Sequence, residues 1–485
     1  MTNNGIVYLV GAGPGDQKLI TVKGLEVLKK AEVVLYDRLV NPLLLQEVDP
    51  NAELIYCGKL PDRHILRQEA INQLLVDKAK QGKVVVRLKG GDPGVFGRVG
   101  EEAEALKKEN LSYEIVPGIT SGIAAASYAG IPVTHRDYGT SFTVITGHDK
   151  SKDGKPSINW GALANGIDTI AFYMGIKNLP FICEQFISNG RAASTRVAII
   201  QWGTTGRQRV VEGTLSTIVD EVEKNYISNP AITLVGDIVD LRKQLMWFEN
   251  KLLLGKKIIF PNGYQKVTSH LIENGAEVLA YPKLVSKPLT SQSTYTSTLS
   301  KLEMYEEIYF TSQEGVHLFF ESLISNNIDI RSIKATLYCV DKESAAMLRS
   351  KGMVAERMSS KPSFTEKTLI VGTRKDSQKF QGVHLITHEM QNSIPVSIAF
   401  RRVMDEDGFN TIIFSSPESV KLFLEQVKKD GHNPVDLAKK SQVICVGEET
   451  LLAVKQLNLP LLSFTTNTDE TSLIQVLLSD CDKVV

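Results

Sequence analysis

The segment Leu88-Lys89-Gly90-Gly91-Asp92-Pro93-Gly94-Val95-Phe96-Gly97-Arg98 constrains the fold more than any other. It follows the apolar run Val84-Val85-Val86, which reads as a buried parallel strand. It precedes Glu101-Glu102-Ala103-Glu104-Ala105-Leu106, which reads as a helix with acidic residues in its first turn. A glycine-rich crossing from strand to helix points to an α/β sheet whose ligands bind at the carboxyl ends of its strands. Gly90, Gly91 and Gly94 let the backbone approach a ligand, because no Cβ stands in the way. Asp92 offers a carboxylate to a ribose hydroxyl or an amino group. The same residues also make a plain tight turn, so alone they predict a nucleoside-type site without naming its occupant.

Similar units lie on either side. Ile6 to Val10 reads as a strand, followed by Gly11-Ala12-Gly13-Pro14-Gly15-Asp16. Asp37 lies about where a dinucleotide fold places its ribose-binding acid. But Pro14 and Asp16 break that fingerprint, and apolar periodicity resumes only near Leu19. A pyrophosphate site needs a helix that opens on the glycines, so dinucleotide binding is the weaker alternative. Val33 to Tyr36 forms the next strand, with Asp37 and Arg38 at its carboxyl end, either as an ion pair or as acid–base groups. Lys59 follows a further strand, Leu54 to Cys57, and on its own reads as a solvated lysine. Arg63, His64 and Arg67 precede an amphipathic helix.

Composition narrows the class. At 485 residues the chain has room for about three domains. Equal numbers of acidic and basic residues argue against bulk nucleic-acid binding. No apolar run approaches the roughly 20 residues that span a bilayer. Met1 to Gly5 lacks the features of a signal peptide, so a cytoplasmic location is expected. Five scattered cysteines without a CxxC pair fit reduced thiols. His384 and His388 flank a strand-like stretch, and no metal site is expected.

Together, the Gly11–Asp16 loop, Tyr36-Asp37-Arg38-Leu39-Val40, the central glycine segment and Val116-Pro117-Gly118-Ile119-Thr120-Ser121 closely resemble the uroporphyrinogen-III C-methyltransferases of the tetrapyrrole methylase family. The resemblance runs from about Gly5 to Leu245. Inside it, Gly94 stands where the family has a bulky residue and Val99 where it has glycine. Gly122 and Ala126 stand where alanine and proline are common. The resemblance implies two α/β domains, 1–117 and 118–245. It implies an S-adenosyl-L-methionine pocket bordered by Pro14, Gly90, Gly91, Asp92, Val95, Thr120, Ser121, Met174, Gly203 and Ala231. It gives Asp37 the role of proton acceptor and Lys59 that of proton donor. Arg38, Arg207 and Arg209 are candidate partners for substrate carboxylates. Alone, Met174 reads as core, and Thr120 or Ser121 reads as a helix cap. The implied reaction methylates uroporphyrinogen III twice to precorrin-2, toward cobalamin or sirohaem, in a homodimer. A methylase of another corrin precursor is the alternative.

Residues 251–485 form a further α/β region with an internal repeat. Ile308-Tyr309-Phe310-Thr311-Ser312 parallels Ile412-Ile413-Phe414-Ser415-Ser416, and Leu337 to Val340 parallels Val443 to Val446. Each copy reads as strand, hydroxyl cap, helix. The region resembles uroporphyrinogen-III synthase, whose two similar domains are joined by a two-stranded link. The expected subdomains are 251–282 with 382–485, and 283–381. The Ser/Thr-rich run 286–300 is the expected crossing between them. Asp341 replaces the glycine expected in the first copy, and the tyrosine expected near 385–388 is missing. The resemblance implies closure of hydroxymethylbilane to uroporphyrinogen III, with Thr311, Ser312, Ser415 and Ser416 near substrate. A non-catalytic binding module is the alternative.

Overall fold

The computed structural model describes residues 5–58, 67–149, 154–263, 265–290, 293–357, 365–377, 380–457, 459, 463–465 and 470–479. Four α/β sheets make two compact units, Met1–Pro282 with Ile394–Val485, and Lys283–Ser393.

In the first unit, β1 (Ile6–Gly11), β2 (Val33–Tyr36), β3 (Glu53–Tyr56), β4 (Val84–Lys89) and β5 (Ser112–Val116) form a parallel sheet in the order β3-β2-β4-β1-β5. The β-branched runs at 33–34 and 84–86 suit strands covered on both faces. After β1 the chain passes through a single 3-10 turn, and the helix Val22–Lys29 begins only after Thr21 caps it. No helix opens on Gly11–Gly15, which removes the basis for a pyrophosphate site there.

The second sheet holds β6 (Phe142–Thr146), β7 (Thr169–Tyr173), β8 (Arg196–Gln201), β9 (Arg209–Thr214) and β10 (Ala231–Val235), ordered β6-β7-β10-β8-β9. Because β10 runs against both β7 and β8, its first residue, Ala231, shares an edge with the carboxyl ends of those strands.

A third, parallel sheet combines β11 (Lys257–Ile259) and β12 (Glu277–Leu279) with three strands from after the second unit. The second unit contains β13 (Leu284–Pro288), β14 (Glu307–Phe310), β15 (Thr336–Cys339), β16 (Glu356–Arg357), β17 (Thr368–Thr373) and β18 (Val383–Asn392). Its order is β13-β18-β17-β14-β15-β16. The chain then returns through the helix Ile394–Glu406 to β19 (Thr411–Phe414), β20 (Gln442–Val446) and β21 (Ser463–Thr465), which complete the third sheet.

Two boundaries differ from the sequence reading. The inner unit extends to Ser393 rather than 381, because β18 pairs with both β17 and β13. The run 286–300 is not a bare crossing. It holds most of β13 and the helix Ser293–Leu299, which buries Tyr295 and Leu299.

Within the first unit, one apolar core joins the first and third sheets. Val34, Leu44 and Leu45 belong to the same cluster as Leu279, Tyr281 and Phe400. Tyr281 stacks on Phe400 with ring centroids 3.9 Å apart. The 3-10 turn Pro42–Glu47 packs against the helix Ile394–Glu406.

Candidate functional site

Loops at the carboxyl ends of β1, β4 and β5 meet backbone to backbone. Gly13 and Gly91 form an antiparallel bridge, with the Gly91 N–H donating to Gly13 O at 2.7 Å. A Cβ on Gly118 would meet Gly91 O and come within 2.8 Å of Gly11 Cα. All the atoms it would strike are main chain, so nothing there can rotate away. Gly118→Ala is therefore expected to force the three loops apart and to cost about 1–3 kcal/mol, read from thermal unfolding.

Asp92 serves this junction. Its Oδ1 accepts from Gly94 N at 2.7 Å and its Oδ2 from Gly118 N at 2.9 Å. The carboxylate offered by the sequence to a ligand thus also ties two loops together. Gly90 packs against Leu39, and Val95 N donates to Asp92 O.

The second sheet closes the other side. Asp16 N donates to Thr204 Oγ1 at 3.0 Å, and Tyr128 OH donates to Asp16 Oδ2 at 2.8 Å. The Tyr173 hydroxyl, at the end of β7, bonds Thr120 Oγ1 and accepts from Gly122 N. The expected cap is thus corrected. Thr120 and Ser121 make no side-chain cap on the helix Ser121–Tyr128, because a tyrosine from the other sheet takes the Gly122 N–H. Phe96 lies 5.2 Å from the Tyr173 ring.

Backbone strain gathers around this cleft. Phe96, Arg98, Met174, Trp202 and Thr204 all have left-handed φ, between 48° and 70°. Bulky residues hold such angles only where surrounding structure imposes them, and they cluster at ligand sites. Met174 is not core, being 49% exposed beyond the end of β7. Gly203 lies against Ala125, and Ala231 is buried at the start of β10.

Beneath the cleft lies an ionic network. Asp37 Oδ1 accepts from Arg87 Nη2 at 2.6 Å, and Arg87 Nε donates to Glu102 Oε1 at 3.0 Å. Lys89 Nζ donates to the same oxygen at 2.7 Å. The Arg87, Lys89 and Glu102 side chains are at most 5% exposed, whereas Asp37 is 32% exposed. Asp37 Oδ2 has no hydrogen bond among the described residues. Burial, with Arg87 alongside, holds the Lys89 ammonium below its ordinary range. Nearby Asp37 and Glu102 keep Arg87 charged despite its burial.

Of the expected site residues, Gly91 is joined to the Pro14 loop through Gly13 and Asp92 to the start of the Thr120–Ser121 segment through Gly118, while Asp37, Met174, Gly203 and Ala231 lie at or just beyond the ends of β2, β7, β8 and β10. Lys59, Arg63 and His64 lie outside the described residues. Sequence reasoning missed Arg87, Lys89, Glu102, Tyr173 and Trp202. The one local signal was a pair of charged residues, Arg87 and Lys89, placed immediately before the glycine loop. Arg38 is exposed, Arg207 stacks over Trp202 at 3.7 Å, and Arg209 donates to Asn225 O at 2.9 Å.

The repeat appears in both units. In the second, Ser312 Oγ accepts from Gly315 N at 3.1 Å, and Thr311 Oγ1 donates to Asp376 Oδ2 at 2.8 Å. Asp341 caps the following helix through Ser344 N at 2.6 Å, doing with a side chain what a glycine cannot. In the first unit, Ser416 forms a capping box with Ser419, and Ser415 lies just ahead of it, half-buried.

Comparison with known proteins matches residues 6–219 to the family model described as Tetrapyrrole (Corrin/Porphyrin) Methylases. Residues 265–394 match the one described as Uroporphyrinogen-III synthase HemD. A uroporphyrinogen-III C-methyltransferase of Bacillus subtilis (strain 168) is 43% identical over 93% of this chain and 93% of its own. One from Priestia megaterium is 59% identical over 49% of this chain and 99% of its own. A siroheme synthase of Pseudomonas fluorescens (strain Pf0-1) is 50% identical over 51% of this chain and 53% of its own.

Proposed function

The chain belongs to the tetrapyrrole methylases, with a uroporphyrinogen-III synthase module after the methylase, and from that premise we propose that it performs two consecutive reactions. The carboxyl-terminal half closes hydroxymethylbilane to uroporphyrinogen III. The amino-terminal half methylates that product twice, by way of precorrin-1, to precorrin-2. The observation that carries the methylase reading is the junction of Gly11, Gly13, Gly91 and Gly118, followed by Thr120 and Gly122, which bond Tyr173 of the second sheet.

The site fits S-adenosyl-L-methionine. An added Cβ on Gly91 would meet nothing nearer than Ser121 N and Thr120 Cα, both at 3.9 Å, so a side chain there would fill a slot that the glycine leaves open. The start of the helix Ser121–Tyr128, with the hydroxyls of Thr120 and Ser121, suits a carboxylate. Pro14, Gly90, Gly91, Asp92, Val95, Met174, Gly203 and Ala231 would border the remainder. When bound, the cofactor supplies an electrophilic methyl group on a cationic sulfur. The residues' own task is to align donor and ring carbon, a proximity effect, and to move protons as the macrocycle changes tautomer. Asp37, half-open and steered by Arg87, is the acceptor. Lys59 is the donor, and Arg38 is a partner for substrate carboxylates. In the synthase module, Thr311 and Ser312 at one helix start of the repeat, and Ser415 and Ser416 at the other, are the proposed substrate contacts of their respective units.

A homodimer is supported by an unpaired edge. β5 ends its sheet, and Tyr113, Ile115, Ile119 and Ile123 are exposed on and beside it. No helix among the described residues is long and apolar enough to cross a membrane. A cytoplasmic location is part of the proposal.

The test supplies hydroxymethylbilane with labelled S-adenosylmethionine, and in parallel uroporphyrinogen III. Dimethylated type III product from both is expected. Type III label only from uroporphyrinogen III would reduce the carboxyl-terminal half to a non-catalytic module, since hydroxymethylbilane closes unaided to the uninverted ring. No label from either would reject the methylase substrate.

A further inference from the structure

The helix Ile394–Glu406 belongs by sequence to the synthase module, yet its last turn lines a cleft together with Pro14, Arg38 and Trp202 of the methylase half. Arg402 is 8% exposed, and its Nη2 donates to the carbonyl of Arg38 at 3.1 Å. Its guanidinium lies 4.5 Å from the Tyr56 ring and 5.6 Å from that of Tyr36, so it sits over the ends of β2 and β3. One turn later, Glu406 Oε1 accepts from the same Arg402 Nη2 at 2.8 Å. Glu406 Oε2 accepts from Arg207 Nη1 at 3.5 Å, and Arg207 stacks on Trp202. Arg38 follows Asp37 on the first sheet, whereas Trp202 follows β8 on the second. Pro14, Arg38, Trp202, Arg207 and Glu406 line one cleft.

We propose that Arg402 and Glu406 are positioning residues for methyl transfer, a strut lent by the synthase module that fixes both sides of the methylase cleft. Arg402 holds the Asp37–Arg38 turn through its backbone, and Glu406 holds Arg207 against Trp202. The pair couples the two sides because the two residues bond each other. This role rests on the methylase reading above and assigns the fused module a task apart from its own chemistry. A buried fork-shaped guanidinium suits it, since one group meets a carbonyl, a carboxylate and two aromatic faces together.

The test uses the full chain with Arg402→Met, Arg402→Lys and, as a control, Gln46→Ala. Gln46 bonds Ala280 N and Val278 O across the same junction but does not touch the Asp37 turn. Arg402→Met is expected to lower kcat on added uroporphyrinogen III about tenfold, with the KM for S-adenosylmethionine within about twofold. Amide hydrogen exchange over residues 37–40 should quicken, as the turn loses its anchor. Arg402→Lys should recover part of kcat. Gln46→Ala should lower the unfolding midpoint and leave kcat unchanged. Adding Arg402→Met to Asp37→Asn should cost little more, because both act through one group. Unchanged kcat, unchanged exchange at 37–40, or fully additive losses would each overturn the strut. If the unaltered chain fails to methylate uroporphyrinogen III, the substrate assignment falls, and exchange at 37–40 alone upholds or overturns the strut.

Discussion

Asp37→Asn is expected to lower the kcat of methylation by about 10²- to 10⁴-fold, the usual contribution of a general base, while the chain stays folded. The geometry separates two roles that the sequence left joined. Asp37 Oδ1 is committed to Arg87 at 2.6 Å, and the other oxygen has no hydrogen bond among the described residues. An asparagine keeps the acceptor that Arg87 needs but cannot take up a proton. Arg87 also retains Glu102, so the network below the site survives. The loops proposed to hold the cofactor are tied through Asp92, Gly118 and Tyr173 rather than Asp37, so the KM for S-adenosylmethionine should stay within a few-fold. Steady-state methylation and thermal unfolding of the same variant decide the matter. A variant with near-normal kcat and lowered stability would show that Asp37 is only the ion-pair partner of Arg87.

What the sequence revealed follows the range of the forces involved. Strand-to-helix crossings rich in glycine, and the duplicated strand–cap–helix units, are local patterns, so both the parallel sheets and the repeat were legible. Burial at one strand position was not. Arg87 and Lys89 look like the polar end of an apolar run, yet β4 lies at the centre of its sheet, where both faces are covered. Glu101 and Glu102 read alike as first-turn acids. Glu101 is exposed and pairs with Arg98, whereas Glu102, one position on, turns inward and is fully buried. Thr120 has the local chemistry of a cap, but Tyr173, more than 50 residues away, takes its place. Taken alone, Met174 read as core. Its left-handed backbone, invisible in sequence, leaves it 49% exposed just beyond β7. Strand β18 carries the same apolar pattern whichever subdomain claims it, and only its two partners decide. The bond from Arg402 to Arg38 spans 364 residues and leaves no local trace.

Glu102→Ala is expected to cost the most stability of any single change proposed for this chain, about 3–5 kcal/mol. Its Oε1 accepts from Arg87 Nε, Lys89 Nζ and Gln68 Nε2 at 3.0, 2.7 and 3.2 Å, and the side chain is fully buried. Removing it leaves two buried cations with Asp37 as their remaining acidic partner in this network. Glu102→Gln keeps hydrogen-bond acceptors but not the charge, so it should fall between. The sign of the pH dependence follows from Lys89. Burial already lowers its pKa, and losing Glu102 lowers it further. Between that depressed value and the ordinary value near 10.5, the unfolded chain holds a proton that the folded chain has shed. Stability therefore rises with pH across that window. The deficit of Glu102→Ala relative to the unaltered chain should shrink as the solution is made alkaline, because a neutral amine is cheaper to bury than an ammonium. Denaturant unfolding of both proteins from neutral pH upward measures this. A deficit below about 1 kcal/mol, or one that grows with pH, would show that Arg87 and Lys89 are neutralised by another route.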